Sequence, residues 1–165
     1  DDYLEMIRLK TAVLLGASMK MGALIGGAGE KNRNLLYDIG EKAGLAFQVQ
    51  DDLLDTYGNE QEFGKEIGRD IQENKMTFLL VNALQYADTS LRNELLKWLA
   101  TSRHKEEKRK AVTEIFDKLN IRRLATEKIN EYFISALSSL EKVDTREDKK
   151  KNIKDFIKKL MSRSR

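Results

Sequence analysis

The chain has no cysteine, no proline and a single histidine. Without cysteine it has no disulfide framework, no thiolate metal site and no thiol nucleophile. His104 sits in the charged run from Arg103 to Lys110, the setting of a solvated surface residue, which leaves histidine-centred catalysis and zinc binding without support. No stretch is long and apolar enough to span a membrane and none resembles a signal peptide, so stable membrane insertion is not expected and a cytoplasmic location is the default. Neither GxGxxG nor the Walker pattern occurs, and Gly22, Gly26, Gly27 and Gly29 therefore read as helix-ending punctuation, not as a phosphate loop. No run alternates with period two, and there is no internal repeat or low-complexity linker.

What remains is a helical chain of 165 residues, enough for one domain with a sizeable core. Its 41% hydrophobic and 35% charged residues suit helices with wet outer faces. The net charge of +3 is unevenly placed: from Arg146 onward nine basic residues face three acidic ones, so the tail carries +6 and the rest −3. Such a tail could touch nucleic acid or an anionic membrane. Ile153, Phe156, Ile157, Leu160 and Met161 nevertheless make an apolar stripe at helical spacing, which favours the lysines as its solvated back and no nucleic-acid partner.

Apolar periodicity predicts a mostly buried first helix through Leu4, Ile7, Ala12, Leu14, Leu15 and Ala17, ending by about residue 28. It carries Lys10 beside Thr11 into apolar company, either seeking an anion or snorkelling from a helix end. A second helix is expected from about Lys31 to Tyr57, with Gly40 and Gly44 marking close approach of a neighbouring helix. Near its end lies Phe47-Gln48-Val49-Gln50-Asp51-Asp52-Leu53-Leu54-Asp55. Helical rows put Gln48, Asp51, Asp52 and Asp55 on one polar face, at the negative end of the helix dipole, where crowded carboxylates call for a cation. Mg²⁺ suits such sparse ligands, because it keeps waters and completes its shell with phosphate oxygens; a solvated acidic turn is the plainer alternative. A polar loop with Lys65 and Asp70 follows, then Lys75, and lysines there suit a phosphate-bearing substrate. Further helices are expected over Leu91–Leu99, with an Asp88 or Thr89 cap and Trp98 in the core, then Glu106–Leu119, Leu124–Leu140 and Asp148–Met161.

Three stretches together, Tyr3 to Ala12, Phe47 to Asp55, and Gly64-Lys65-Glu66-Ile67-Gly68-Arg69-Asp70-Ile71-Gln72-Glu73-Asn74-Lys75, closely resemble motifs of the trans-isoprenyl diphosphate synthases, or polyprenyl synthetases. They come in that family's order and spacing and span the first half of the chain. The resemblance implies an all-α isoprenoid synthase bundle and head-to-tail condensation of an allylic diphosphate with isopentenyl diphosphate. Mg²⁺ would help the allylic diphosphate leave, and the proton lost after condensation would go to the departed diphosphate. It further implies Asp51 as a direct Mg²⁺ ligand, Asp52 and Asp55 as ligands through water or as supporting partners, and Asp70 near the same metal or its lysines. Lys10, Lys65 and Lys75 match the lysines for the allylic diphosphate, and Thr11 and Gln48 match positions facing the nascent carbocation.

The family also has an earlier aspartate-rich motif, which Asp1-Asp2 cannot supply. The expectation is therefore that residues 1–165 form the C-terminal half of a synthase, inactive alone, with exposed apolar surface, from a parent that is a homodimer. A catalytically silent helical module is the alternative from another class. A terpene cyclase or head-to-head synthase is disfavoured by the Lys-Thr pair and the Gly-Lys loop.

Overall fold

A computed structural model describes residues 2–59, 67–101 and 104–162, and among these every regular element is helical. The chain divides into two compact units, one made of residues 1–48 and 128–165, the other of residues 49–127.

In the first unit, helix α1 (Asp2–Ile7) passes through a π-helical turn (Arg8–Ala12) into α2 (Val13–Ile25). Gly26 closes α2, and Gly27 adopts φ +77° just beyond it, the left-handed geometry that stops a helix. Helix α3 (Glu30–Tyr57) follows and runs on into the second unit. The α1–α2 segment packs on α3 through its smallest residues. A Cβ on Gly40 would lie 2.8 Å from the Gly16 Cα, and one on Gly44 would lie 2.7 Å from the Ala12 Cα. Gly40 and Gly44 are thus the close-approach positions expected from their spacing.

This small-residue seam changes the expected burial of the first helix. Ile7 and Ala12 are buried, but Leu9, Leu14 and Ile25 are 61%, 69% and 88% exposed. The backbones approach through Ala12 and Gly16, which leaves the large apolar side chains of α2 on the other side. The unit's buried side chains include Ile39, Ala43, Phe133, Leu140 and Ile157, the last two from α8 (Ile121–Glu141) and α9 (Glu147–Met161). Of the expected apolar stripe on α9 only Ile157 is fully buried, and Phe156 is exposed. Across this unit Ser139 donates to Asp38, and Lys42 donates to both.

The second unit comprises the end of α3, a short α4 (Arg69–Gln72), α5 (Phe78–Tyr86), α6 (Thr89–Leu99), α7 (Lys105–Lys118) and the start of α8. Helix α7 packs against α4, α5 and α6. Thr77 and Asp88 cap α5 and α6 by accepting the N–H groups of Leu80 and Leu91. The core holds Val49, Leu53, Phe78, Leu79, Leu95, Ile115 and Phe116. Trp98, expected in the core, is half-buried, and Leu96 is exposed: α6 buries a single row, centred on Leu95. Among the described residues no helix is long and apolar enough to cross a membrane.

The seam gives a paired prediction. Gly44→Ala forces backbone against backbone and should destabilise the protein by about 1–3 kcal/mol. Gly22→Ala, in α2 with nothing within 4 Å of the added methyl, should leave stability unchanged or raise it by up to about 1 kcal/mol. Denaturant melts of the two variants check the contrast.

Candidate diphosphate-binding site

The Lys-Thr pair lies in the π-helical turn. There the Val13 N–H bonds the Arg8 carbonyl five residues back, so the turn holds one residue more than an α-turn and re-aims the side chains beyond it. Arg8 fastens the turn on both sides, pairing with Glu5 at 2.7 Å and with Glu41 of α3 at 2.9 Å. Lys10 is exposed, and Thr11 donates from Oγ1 to Gln48 Oε1 at 3.2 Å. The structure therefore joins Thr11 and Gln48, which stand far apart in sequence, and leaves the Lys10 ammonium in the open. Composition carried no signal for the π-turn or for the Arg8–Glu41 bridge.

In the second unit the aspartates of α3 divide into two kinds. Asp52 is 3% exposed, and its Oδ2 accepts the Phe78 N–H at 2.8 Å. That amide opens α5 and has no partner within its own helix, so Asp52 anchors the start of α5. Asp51 and Asp55 instead line a cleft of about 740 Å³ together with Asp70 and Lys75. The even polar face expected for Asp51, Asp52 and Asp55 is thus broken, because the partner that draws Asp52 inward lies 26 residues away.

Asp55 ties α3 to the turn that lines the rest of the cleft. Its Oδ2 accepts the Asp70 N–H at 2.9 Å, and its backbone carbonyl accepts the Gly68 N–H at 2.6 Å. These two bonds hold the turn that begins α4. Lys75 folds back on the same turn, donating from its backbone N–H to the Asp70 carbonyl and from Nζ to Asp70 Oδ1 at 2.6 Å. Lys65 falls outside the described residues. Arg69, which the third motif contains without a role, and Lys105, which no motif contains, also line the cleft.

The electrostatics follow from these contacts. Burial pushes the Asp55 carboxyl above its ordinary value of 3.8; the Asp70 N–H and the Lys75 charge pull it down, while the Asp70 and Asp51 charges push it further up. The Asp70 carboxylate holds the Lys75 ammonium above its usual range, so Lys75 stays charged at neutral pH. Among the described residues no group of three acidic or histidine side chains could hold a metal by itself. A hard cation of another habit is compatible with this donor set: Mg²⁺ needs only one or two carboxylates, which Asp51 and Asp55 could offer, and completes its shell with water and phosphate oxygens.

A raised carboxylate pKa fixes a sign. The folded state holds the Asp55 proton more tightly than the unfolded chain, so Asp55 lowers stability as pH rises from 3.8 through its raised value and stays unfavourable above it. Asp55→Asn keeps an acceptor for the Asp70 N–H and removes the buried charge. It should be at least as stable as the parent at pH 7 and lose its advantage below pH 3.8, as thermal melts across pH would register.

Residues 1–117 match the family model described as Polyprenyl synthetase. The chain is 39% identical over 115 residues to a short chain isoprenyl diphosphate synthase of Methanocaldococcus jannaschii, covering 70% of this chain and 35% of that protein. A crystal structure of a geranylgeranyl pyrophosphate synthase superposes with a TM-score of 0.89 at 38% identity, covering 99% of this chain and 51% of that one. A geranylgeranyl pyrophosphate synthase of Corynebacterium glutamicum, solved in complex with calcium and isoprenyl diphosphate, is similar with a TM-score of 0.83 at 25% identity, over 98% of this chain and 50% of that one. The chain thus spans between a third and a half of the length of these proteins.

Proposed function

The chain belongs to the polyprenyl synthetase family, and on that premise we propose that it forms the part of a trans-prenyltransferase that grips the allylic diphosphate. The parent reaction on this reading is condensation of an allylic diphosphate with isopentenyl diphosphate to give a longer trans-polyprenyl diphosphate. The observation that carries it is the cleft that Asp51, Asp55, Asp70 and Lys75 line together, with the Lys75 ammonium held on the Asp70 carboxylate. That is the arrangement a metal-bound polyanion needs, and a relative solved with calcium and isoprenyl diphosphate supports it.

Each residue has a role in this proposal. Asp51 and Asp55 hold Mg²⁺, which when bound neutralises the diphosphate as it departs. Asp52 and Asp70 act one step back, Asp52 by fixing the start of α5 and Asp70 by holding Lys75 until a phosphate takes its place. Lys75 presents its ammonium group to the diphosphate oxygens, a charge that stabilises the negative charge developing there, and the family resemblance gives Lys65 and Lys10 the same role. Thr11 and Gln48 turn oxygen dipoles toward the carbocation, and their mutual hydrogen bond limits how far either can swing. The groups that bind isopentenyl diphosphate are not among these motifs, and the proposal assigns them to the portion of the relatives that this chain does not match.

Calorimetric titration with a non-hydrolysable allylic diphosphate analogue tests the reading. Binding should require Mg²⁺, weaken by about tenfold or more in Asp51→Ala, and weaken in Lys75→Met. Binding that ignores both Mg²⁺ and Asp51, or no binding by a well-folded chain, would favour a catalytically silent helical module.

A further inference from the structure

Helix α7 carries a buried cation that the reading above does not use. Lys108 is 2% exposed. Its ammonium donates to Asn74 Oδ1 at 2.6 Å and to the Thr101 carbonyl at 3.2 Å. Among the described residues no carboxylate pairs with it. Burying an ammonium without a counter-charge is unfavourable, and burial does pull the Lys108 pKa down. An apolar side chain of the same length would fill this space at less cost, so the charge calls for an explanation.

The polar groups around it supply one. Thr101 and Leu99 lie at the C-terminal end of α6, where carbonyls lack helical partners and the dipole is negative. Asn74 spans the gap between that end and Lys108: Nδ2 donates to the Leu99 carbonyl at 2.9 Å while Oδ1 accepts from Lys108. Both ends of the amide are therefore engaged. Asn74 itself, at φ 53°, is the left-handed residue that closes α4, where its N–H and that of Lys75 return to the Ile71 and Asp70 carbonyls. The next residue is Lys75, whose backbone and ammonium both return to Asp70.

We propose that Lys108 is a positioning residue for Lys75: by holding the Asn74 side chain against the end of α6, its ammonium fixes the left-handed residue from which Lys75 is aimed into the cleft. The inference rests on Lys75 being a diphosphate ligand. Lys108 touches neither diphosphate nor metal. It acts through Asn74, and that chain of contact runs from the first turn of α7 to Lys75, which lines the cleft.

Titrating the full chain with inorganic diphosphate in excess Mg²⁺ tests this, using Lys108→Met, Asn74→Gly and the double variant, each confirmed as folded by circular dichroism and thermal melting. Methionine keeps the length and loses the donors; glycine keeps access to the left-handed conformation and loses the amide. Lys108→Met should hold its melting temperature yet bind diphosphate about tenfold more weakly. Asn74→Gly should weaken binding in the same way, and the double variant should be no worse than Lys108→Met, because the two act in series. Should Lys108→Met fail to fold, Asn74→Gly reads the same link. A folded Lys108→Met, or failing that a folded Asn74→Gly, that binds diphosphate as the parent does would overturn the proposal and leave Lys108 as a cap on α6. So would a double variant whose loss is the product of the single losses. Diphosphate binding by none of the proteins, the parent included, would overturn the reading of the cleft and this inference with it.

Discussion

The bond from the Asp70 N–H to the Asp55 carboxylate, 2.9 Å long, is the contact on which the second unit's cleft depends. It joins the end of the long helix α3 to the turn that carries α4, so that the turn repeats its position each time the chain folds. With Asp70 fixed, its carboxylate can hold Lys75, and with Lys75 held the cleft carries an ammonium among its carboxylates. Asp55 bears a cost for this, because burial and the neighbouring carboxylates work against its charge. A cation in the cleft would relieve that cost. Strain of this kind, kept at a site and tolerated by the surrounding fold, is common where a protein binds a charged ligand.

The two halves of the aspartate motif separate fold from chemistry. Asp52 serves the fold through the bond that its carboxylate accepts from the first amide of α5. Asp51 and Asp55 face the cleft. A mutation at Asp52 would therefore disturb the start of α5, whereas one at Asp51 would, on the proposed function, act on the ligand. In the first unit the same economy holds for the small residues: Gly16, Gly40, Gly44 and Ala12 let two helices approach closely, and that approach sets the Thr11–Gln48 hydrogen bond.

Much of this was legible in the sequence, for physical reasons that can be named. Helical periodicity placed α3 and α6 to α9 within a few residues of their observed ends, because amphipathic spacing is a local property, whereas α4 lies in the expected polar loop and α5 was not assigned. The four-residue step from Gly40 to Gly44 marked the seam, since glycine within a helix needs a packing reason. The all-α class and the family resemblance were equally readable. Burial was less so: Leu14 and Trp98 were expected inside, and which face of a helix is covered depends on neighbours that periodicity does not identify. The inward turn of Asp52 was hidden because its partner lies in another helix. Lys108 was hidden more thoroughly, for in the run Lys105 to Lys110 it reads as one more solvated charge. The π-turn at Lys10 and Thr11 left no compositional trace at all.

The central claim is that the cleft between Asp51 and Lys75 receives a metal-bound diphosphate. A crystal structure of the chain grown with Mg²⁺ and an allylic diphosphate analogue tests it most directly. The account predicts diphosphate density in that cleft, a metal bridging it to Asp51, and the Lys75 ammonium moved from Asp70 onto a phosphate oxygen. A diphosphate bound elsewhere, with Lys75 still on Asp70 and no metal at Asp51, would contradict it.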